Sequence, residues 1–163
     1  MSPTPIKRNP SLVPLSREHH GTLLFCWKLK LGLMRKLSLE RMIRYILWFE
    51  KEHLAPHFDS EEQLIFKSNK DPLVKKALDE HREIESLLCK IKKADTKADE
   101  LIAELSEKIN KHTRYEEREL FPHLEQTLSA KELEQIGIEL AKEPHTADEN
   151  YDDPFWEDSA TKS

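Results

Sequence analysis

Two stretches of the chain decide its fold. Residues 57–66 read His57-Phe58-Asp59-Ser60-Glu61-Glu62-Gln63-Leu64-Ile65-Phe66, and residues 112–121 read His112-Thr113-Arg114-Tyr115-Glu116-Glu117-Arg118-Glu119-Leu120-Phe121. Both have the form H-x3-E-E-x3-F. Residues four apart lie one turn apart on the same side of a helix, so each stretch can present an imidazole and a carboxylate to one point. Stepping outward by threes and fours from His112 gives Leu101, Leu105, Ile109, Glu116 and Leu120. From His57 the steps give Ile43, Ile46, Glu50, His53, Glu61 and Leu64. These are apolar, core-facing stripes of helical period interrupted by histidine and glutamate.

The rest of the chain repeats the pattern. A stripe through Leu73, Ala77, His81, Ile84, Leu88 and Ile91 carries His81. A stripe near the start, through Leu15, Leu23 or Leu24, Trp27 and Leu31, carries His19 or His20. His20 has Leu23, Leu24 and Trp27 at +3, +4 and +7, which favours it over His19, about 100° around the helix. Predicted helices span 16–36, 39–67, 72–93 and 97–128, with a shorter fifth one capped by Ser129 and ending before Pro144. Ser16, Ser38 and Asp71 are the expected caps of the first three, with Pro72 at the first helical position of the third. Pro56 and Pro122 should kink their helices or, for Pro122, end one. Four long helices with short connections predict an all-α, up-down-up-down four-helix bundle with a short extra C-terminal helix. Residues 1–14, with four prolines, read as an extended lead-in, 15–143 as the domain, and 144–163 as an acidic, Pro-containing, poorly ordered tail whose two aromatics, Phe155 and Trp156, are candidates to dock on the domain.

Composition agrees with this class. The 163 residues include 35% charged side chains and only three glycines, which suits helices rather than a sandwich or barrel. No dinucleotide or phosphate-loop motif is present. A formal net charge of −5 disfavours nucleic acid as the main partner. No apolar run reaches the ~18 residues of a membrane span, and the first residues lack the apolar core of a secretory signal. Cys26 and Cys89 are too few for a disulfide framework and read as small buried hydrophobes. A cytoplasmic location is the default expectation.

The buried carboxylates carry the functional argument. Two unpaired glutamates inside a bundle core would cost several kcal/mol. With at least four imidazoles facing them, a metal ion satisfies every group at once. The chain reads as two hairpins of similar plan, each giving one lone histidine and one His-x3-Glu. Together they form a pseudo-symmetric set: His20, His57, Glu61, His81, His112 and Glu116. Nitrogen and carboxylate donors without thiolate suit iron, with manganese or zinc as alternatives, and a glutamate from each hairpin suits bridging between two ions. Glu62 and Glu117, beside these glutamates, are candidates to orient the imidazoles. His53, Tyr45 and Tyr115 are further candidates, each with ordinary packing as the alternative. His123 and His145 read as surface residues.

The ordered pieces Arg17-Glu18-His19-His20, His57 to Phe66, His81 and His112 to Pro122 resemble the hemerythrin-like proteins with the HHE cation-binding domain. The resemblance covers about residues 15–128. It implies a four-helix bundle holding a non-haem di-iron centre, with His20, His57, Glu61, His81, His112 and Glu116 as ligands and the two glutamates as bridges. The oxygen carriers of that family have a fifth histidine one turn after the one on the third helix, and an H-x4-D step on the fourth. Here those positions are Glu85 and Glu117. The resemblance thus implies a protein that binds or senses a small ligand (O2, NO or peroxide) or iron itself. A di-iron oxidase or peroxidase, or an iron-dependent regulatory module with a protein partner, are the alternatives.

Overall fold

A computed structural model describes residues 7–143 and 150–158. The described residues are all helical or irregular, without strands. After a 3-10 turn at Pro10–Leu12, α1 spans Val13–Met34. α2 covers 39–64, α3 is Pro72–Lys92, α4 covers 98–127 and α5 is Ala130–Ala141. α1 begins earlier than its expected cap at Ser16. Pro14 sits in the first turn, where no backbone donor is required. The other three caps hold as expected. Ser38 accepts from Arg41 N, Asp71 accepts from Leu73 N, and Ser129 and Glu132 form a reciprocal capping box.

Both internal prolines are accommodated without ending a helix. α2 consists of Leu39–Phe49, a π-helical turn at Glu50–Leu54, and Ala55–Leu64. α4 consists of Ala98–Tyr115, a π-helical turn at Glu116–Leu120, and Phe121–Thr127. Each π turn stops two residues before a proline. A proline lacks the donor for the carbonyl four residues back and its ring crowds that carbonyl. The wider turn shifts the pairing: Ala55 N bonds to Glu50 O, and Phe121 N to Glu116 O. The expected stop at Pro122 is therefore a wide turn, and the helix runs on to Thr127.

Residue numbers run in opposite senses across the contacts that join α1, α2, α3 and α4 in a ring. α1 meets α4 through Arg8–Glu125 below it, His19–Glu117 and Cys26–Ser106. α1 meets α2 through His19–His57 and Phe25–Phe49. α2 meets α3 through Glu62–His81 and Glu50–Lys92. α3 meets α4 through Leu73–Tyr115 and Glu80–His112. Sequential neighbours are antiparallel, and α4 returns beside α1.

The core is divided into two apolar clusters. One contains Phe25, Leu29, Tyr45, Ile46, Phe49, Ile84, Leu88 and Ile102. The other contains Leu12, Leu15, Ile65, Phe66, Ala77, Leu120 and Phe121, and is closed by Leu133, Ile136 and Leu140 of α5. The histidines and glutamates lie between them. Residues 150–158, within a tail expected to be poorly ordered apart from its two aromatics, are docked through those aromatics. Phe155 is fully buried in the first cluster, with Tyr151 and Trp156 packed against it. Arg41 forms a fork to Asp153, at 2.7 and 3.1 Å, and also pairs with Asp158. Gly32 makes this possible, since a Cβ there would come within 2.9 Å of Met42 and 3.0 Å of Phe155. Cys26 is buried as expected, and burial pushes its thiol up to about 12. Cys89, expected inside, is exposed.

Candidate metal centre

α1 supplies one imidazole to the layer between the clusters, and it is His19. The inward stripe of α1 is Leu12, Leu15, His19, Thr22, Cys26 and Leu29, all buried. His20 is exposed. The expectation for His20 rested on Leu24 and Trp27 pointing inward, but these are 40% and 54% exposed. The other five expected residues, His57, Glu61, His81, His112 and Glu116, come together with His19. All six are buried, with Glu61, Glu116 and His81 fully so.

The six form two overlapping groups. His19, His57, Glu61 and Glu116 offer ligand atoms within 4.8 Å of one another, as do Glu61, His81, His112 and Glu116. Glu61 divides its oxygens between them. Its Oε2 lies 3.3 Å from His57 Nε2 and 3.7 Å from His19 Nε2, while its Oε1 lies 3.1 Å from His81 Nε2. Glu116 Oε1 lies 3.1 Å from His19 Nε2 and 3.3 Å from His112 Nε2. The imidazoles are paired by group, His19 with His57 and His81 with His112, each at 4.8 Å between ring centroids. Phe121 stacks on His19 and Phe58 on His81, so apolar rings wall the layer.

Every imidazole is held from behind by a carboxylate. His19 Nδ1 meets Glu117 at 2.6 Å, His57 Nδ1 meets Glu18 at 2.8 Å, His81 Nδ1 meets Glu62 at 2.7 Å, and His112 Nδ1 meets Glu80 at 2.9 Å. A carboxylate on Nδ1 fixes the ring and leaves Nε2 as the free donor, the arrangement usual behind metal-bound histidines. The crossing pattern is two-fold. Glu18 and Glu80, each preceding a lone histidine, hold the histidine of the next helix. Glu62 and Glu117, each following one of the two inner glutamates, hold the lone histidine of the other hairpin. Glu62 and Glu117 were legible from sequence as neighbours of Glu61 and Glu116. Glu18 and Glu80 were not, although the repeated dipeptides Glu18-His19 and Glu80-His81 carry the signal and also select His19.

His81 Nε2 and Glu61 Oε1 share a hydrogen bond at 3.1 Å, but the other inner atoms face one another without hydrogen-bond alignment. Nε2 of His19, His57 and His112, Oε2 of Glu61 and both oxygens of Glu116 are buried without a hydrogen-bond partner, despite charge contacts of 3.1–3.7 Å. Buried polar groups are normally satisfied. Burial alone drives His19, His57 and His112 toward neutrality, yet the carboxylates outweigh it. They raise His57 to about 9, chiefly through Glu61 and Glu18, and His112 to about 10 through Glu116 and Glu80. His19 is raised well above its ordinary value by Glu116, Glu117 and Glu61. Burial would raise Glu61, but His57, His19 and His81 hold it well below the usual carboxylate range. A compact cation between the six groups would meet all these demands, and the nitrogen-and-carboxylate donor set fits a first-row transition metal.

The remaining candidates lie elsewhere. Tyr115 OH donates to Leu73 O at 2.7 Å. Tyr45 is buried among Phe25, Trp48, Tyr151 and Trp156. His53 packs on Trp48 and Phe49. Glu85 pairs with Arg82 on the surface, and His123 pairs with Asp71. His145 lies outside the described residues.

Helices that enclose six inward ligand groups define a cation-binding helical protein. The family model described as the Hemerythrin HHE cation binding domain matches residues 14–124, and the chain belongs to that family. Neither curated proteins nor solved structures gave a match to this chain.

Proposed function

We propose that the protein is an up-down-up-down four-helix bundle that holds a di-nuclear non-haem iron centre and binds or senses a small ligand there. His19 and His57 would hold one ion and His81 and His112 the other, with Glu61 and Glu116 placed to serve both. The observation that carries this reading is the set of six buried nitrogen and oxygen atoms that converge without hydrogen-bond partners. The family is cation-binding, and the divided oxygens of Glu61 suit a bridge.

The chain's own part is to position, neutralise and exclude water. The four outer carboxylates fix the imidazoles so that each presents Nε2 inward. Phe58, Phe66 and Phe121 keep bulk solvent from the layer. When bound, two irons would supply a Lewis-acidic, one-electron-active position for O2, NO or peroxide. Among the described residues no fifth histidine approaches: Ala77 and Glu85 occupy the positions one turn before and after His81, and Glu85 is turned to Arg82. Fewer nitrogen donors leave room for a ligand and favour binding or sensing.

Elemental analysis and an absorption spectrum of protein from iron-supplied cells test this. About two irons per chain are expected, as in di-iron carboxylate bundles, with near-ultraviolet charge-transfer bands. Protein that carries no metal and takes up no ferrous ion without air would overturn it.

A further inference from the structure

The two halves of the layer are related by an approximate two-fold in their ligands, but not in what lies behind them. Behind His19 stands Glu117, and behind Glu117 stands Arg8, from the segment preceding α1. Arg8 Nη2 donates to Glu117 Oε2 at 2.9 Å and to Glu117 O at 2.6 Å, and Nη1 donates to Glu125 Oε1 at 2.7 Å. Its side chain is only 7% exposed. The guanidinium also lies 5.3 Å from the centroid of Phe121, the ring stacked on His19. Arg8 thus reaches the same imidazole by two routes, one through a carboxylate and one through an aromatic face. Asn9 N donates to Glu125 Oε1 at 3.1 Å and anchors the backbone beside it.

The counterpart in the other half is much looser. Glu62, behind His81, pairs with Arg82, whose side chain is 55% exposed and also shared with Glu85. An exposed pair of that kind holds its carboxylate weakly, whereas a buried, forked arginine fixes it in one geometry.

We infer that Arg8 is a positioning residue for one of the two metal positions: by clamping Glu117 and Phe121 it fixes His19, and so makes the His19–His57 position inequivalent to the His81–His112 position. This rests on the di-nuclear reading proposed above. A segment outside the four long helices then sets the order in which the two positions fill. The alternative is that Arg8 merely tethers the N-terminal segment to α4. A tether would alter overall stability and leave the two positions alike.

Cobalt(II) alone, titrated into metal-free full-length protein under argon and followed by visible absorbance and calorimetry, separates these. The wild type should take up about two ions in two resolvable steps. Arg8→Gln should weaken one step by about 10–100-fold, the usual effect of losing an outer-shell partner, and leave the other within about threefold. The weakened step must be the one that His19→Ala affects most, and its visible band should shift. Arg8→Lys, which keeps the charge but loses the fork, should fall between. It also serves if Arg8→Gln proves less helical by circular dichroism. Arg82→Gln should shift its step less than Arg8→Gln does. Equal weakening of both steps, or none, with Arg8→Gln would overturn the inference while leaving the di-nuclear reading intact. A wild type that takes up no cobalt, or a single ion, would instead sink the di-nuclear reading, and the inference with it.

Discussion

At the residue scale, the decisive contrast is between adjacent histidines. His19 is 3% exposed and faces Glu61 and Glu116, whereas His20 is on the outer surface. His19→Ala should reduce bound metal by about half or more, because it removes an imidazole donor and leaves Glu117 with no imidazole to orient. His20→Ala should leave metal content unchanged. Elemental analysis of both variants decides it, and the reverse outcome would contradict the placement of α1. The five other expected positions were legible because a histidine or glutamate inside an apolar stripe is costly unless something pays for its burial. His19 was not, because apolar neighbours were counted as inward. Trp27 and Leu24 are exposed, so the apolar face of α1 is wider than its buried stripe.

At the scale of elements, helix ends were more legible than helix interiors. The caps at Ser38, Asp71 and Ser129 are local chemistry and follow from residue type. The π turns depend on how a helix absorbs a proline while keeping its buried face. Nothing in the sequence of 50–56 or 116–122 distinguishes that from a kink. The turn in α4 begins at Glu116 itself, so the wide turn and the inner carboxylate share a residue, as π turns at functional sites often do.

Asp71 offers a test of an element end. It accepts from Leu73 N at 3.0 Å and pairs with His123 Nε2 at 2.6 Å. Partial burial opposes its charge, but His123 and the helix N-terminus prevail and hold its carboxyl below the ordinary value. A carboxylate lowered in the folded state stabilises above its unfolded pKa of about 3.9, and that stability is lost as the pH falls further. Asp71→Ala should cost about 1 kcal/mol at neutral pH. Asp71→Asn, which keeps the cap, should cost less. The difference between wild type and Asp71→Asn in urea denaturation should shrink as pH drops toward 3. A difference independent of pH would show that the charge contributes nothing.

At the scale of the whole molecule, the buried polar layer ties stability to occupancy. Binding to the native state alone stabilises it by mass action. Loaded protein should therefore melt higher than chelator-treated protein, with the gap growing as free metal rises. His57 and His112 are raised to about 9 and 10 without metal, so loading at neutral pH must displace protons. Uptake should acidify a weakly buffered solution, and apparent affinity should fall as pH is lowered. Scanning calorimetry and a pH electrode read these outcomes. Identical melting of the two forms would argue against a metal that belongs in the core.

The docked segment 150–158 contributes to the same whole. Phe155→Ala empties a fully buried site in the first cluster and should cost about 3–5 kcal/mol, seen as a lower midpoint in denaturant. A change below about 1 kcal/mol would mean that the segment adds little. The composition of 144–163, acidic and Pro-containing, pointed to poor order, with Phe155 and Trp156 as the residues able to dock. Two aromatic anchors and one arginine fork were enough to reverse that for its middle.

That docking also determines what light reports about this protein. The chain has three tryptophans. Trp27 is in open solvent, while Trp48 and Trp156 both pack around Tyr45 and Tyr151 where the C-terminal segment sits. Lys28 Nζ lies 3.8 Å from the Trp156 ring centroid. Trp48 is nine residues from His57 on the same helix, or roughly 14 Å along its axis. Intrinsic fluorescence therefore monitors the seating of the chain's last segment. It would register peeling of that segment even where the histidine layer is unchanged, so a fluorescence melt and a metal-release curve on one sample can report two different events.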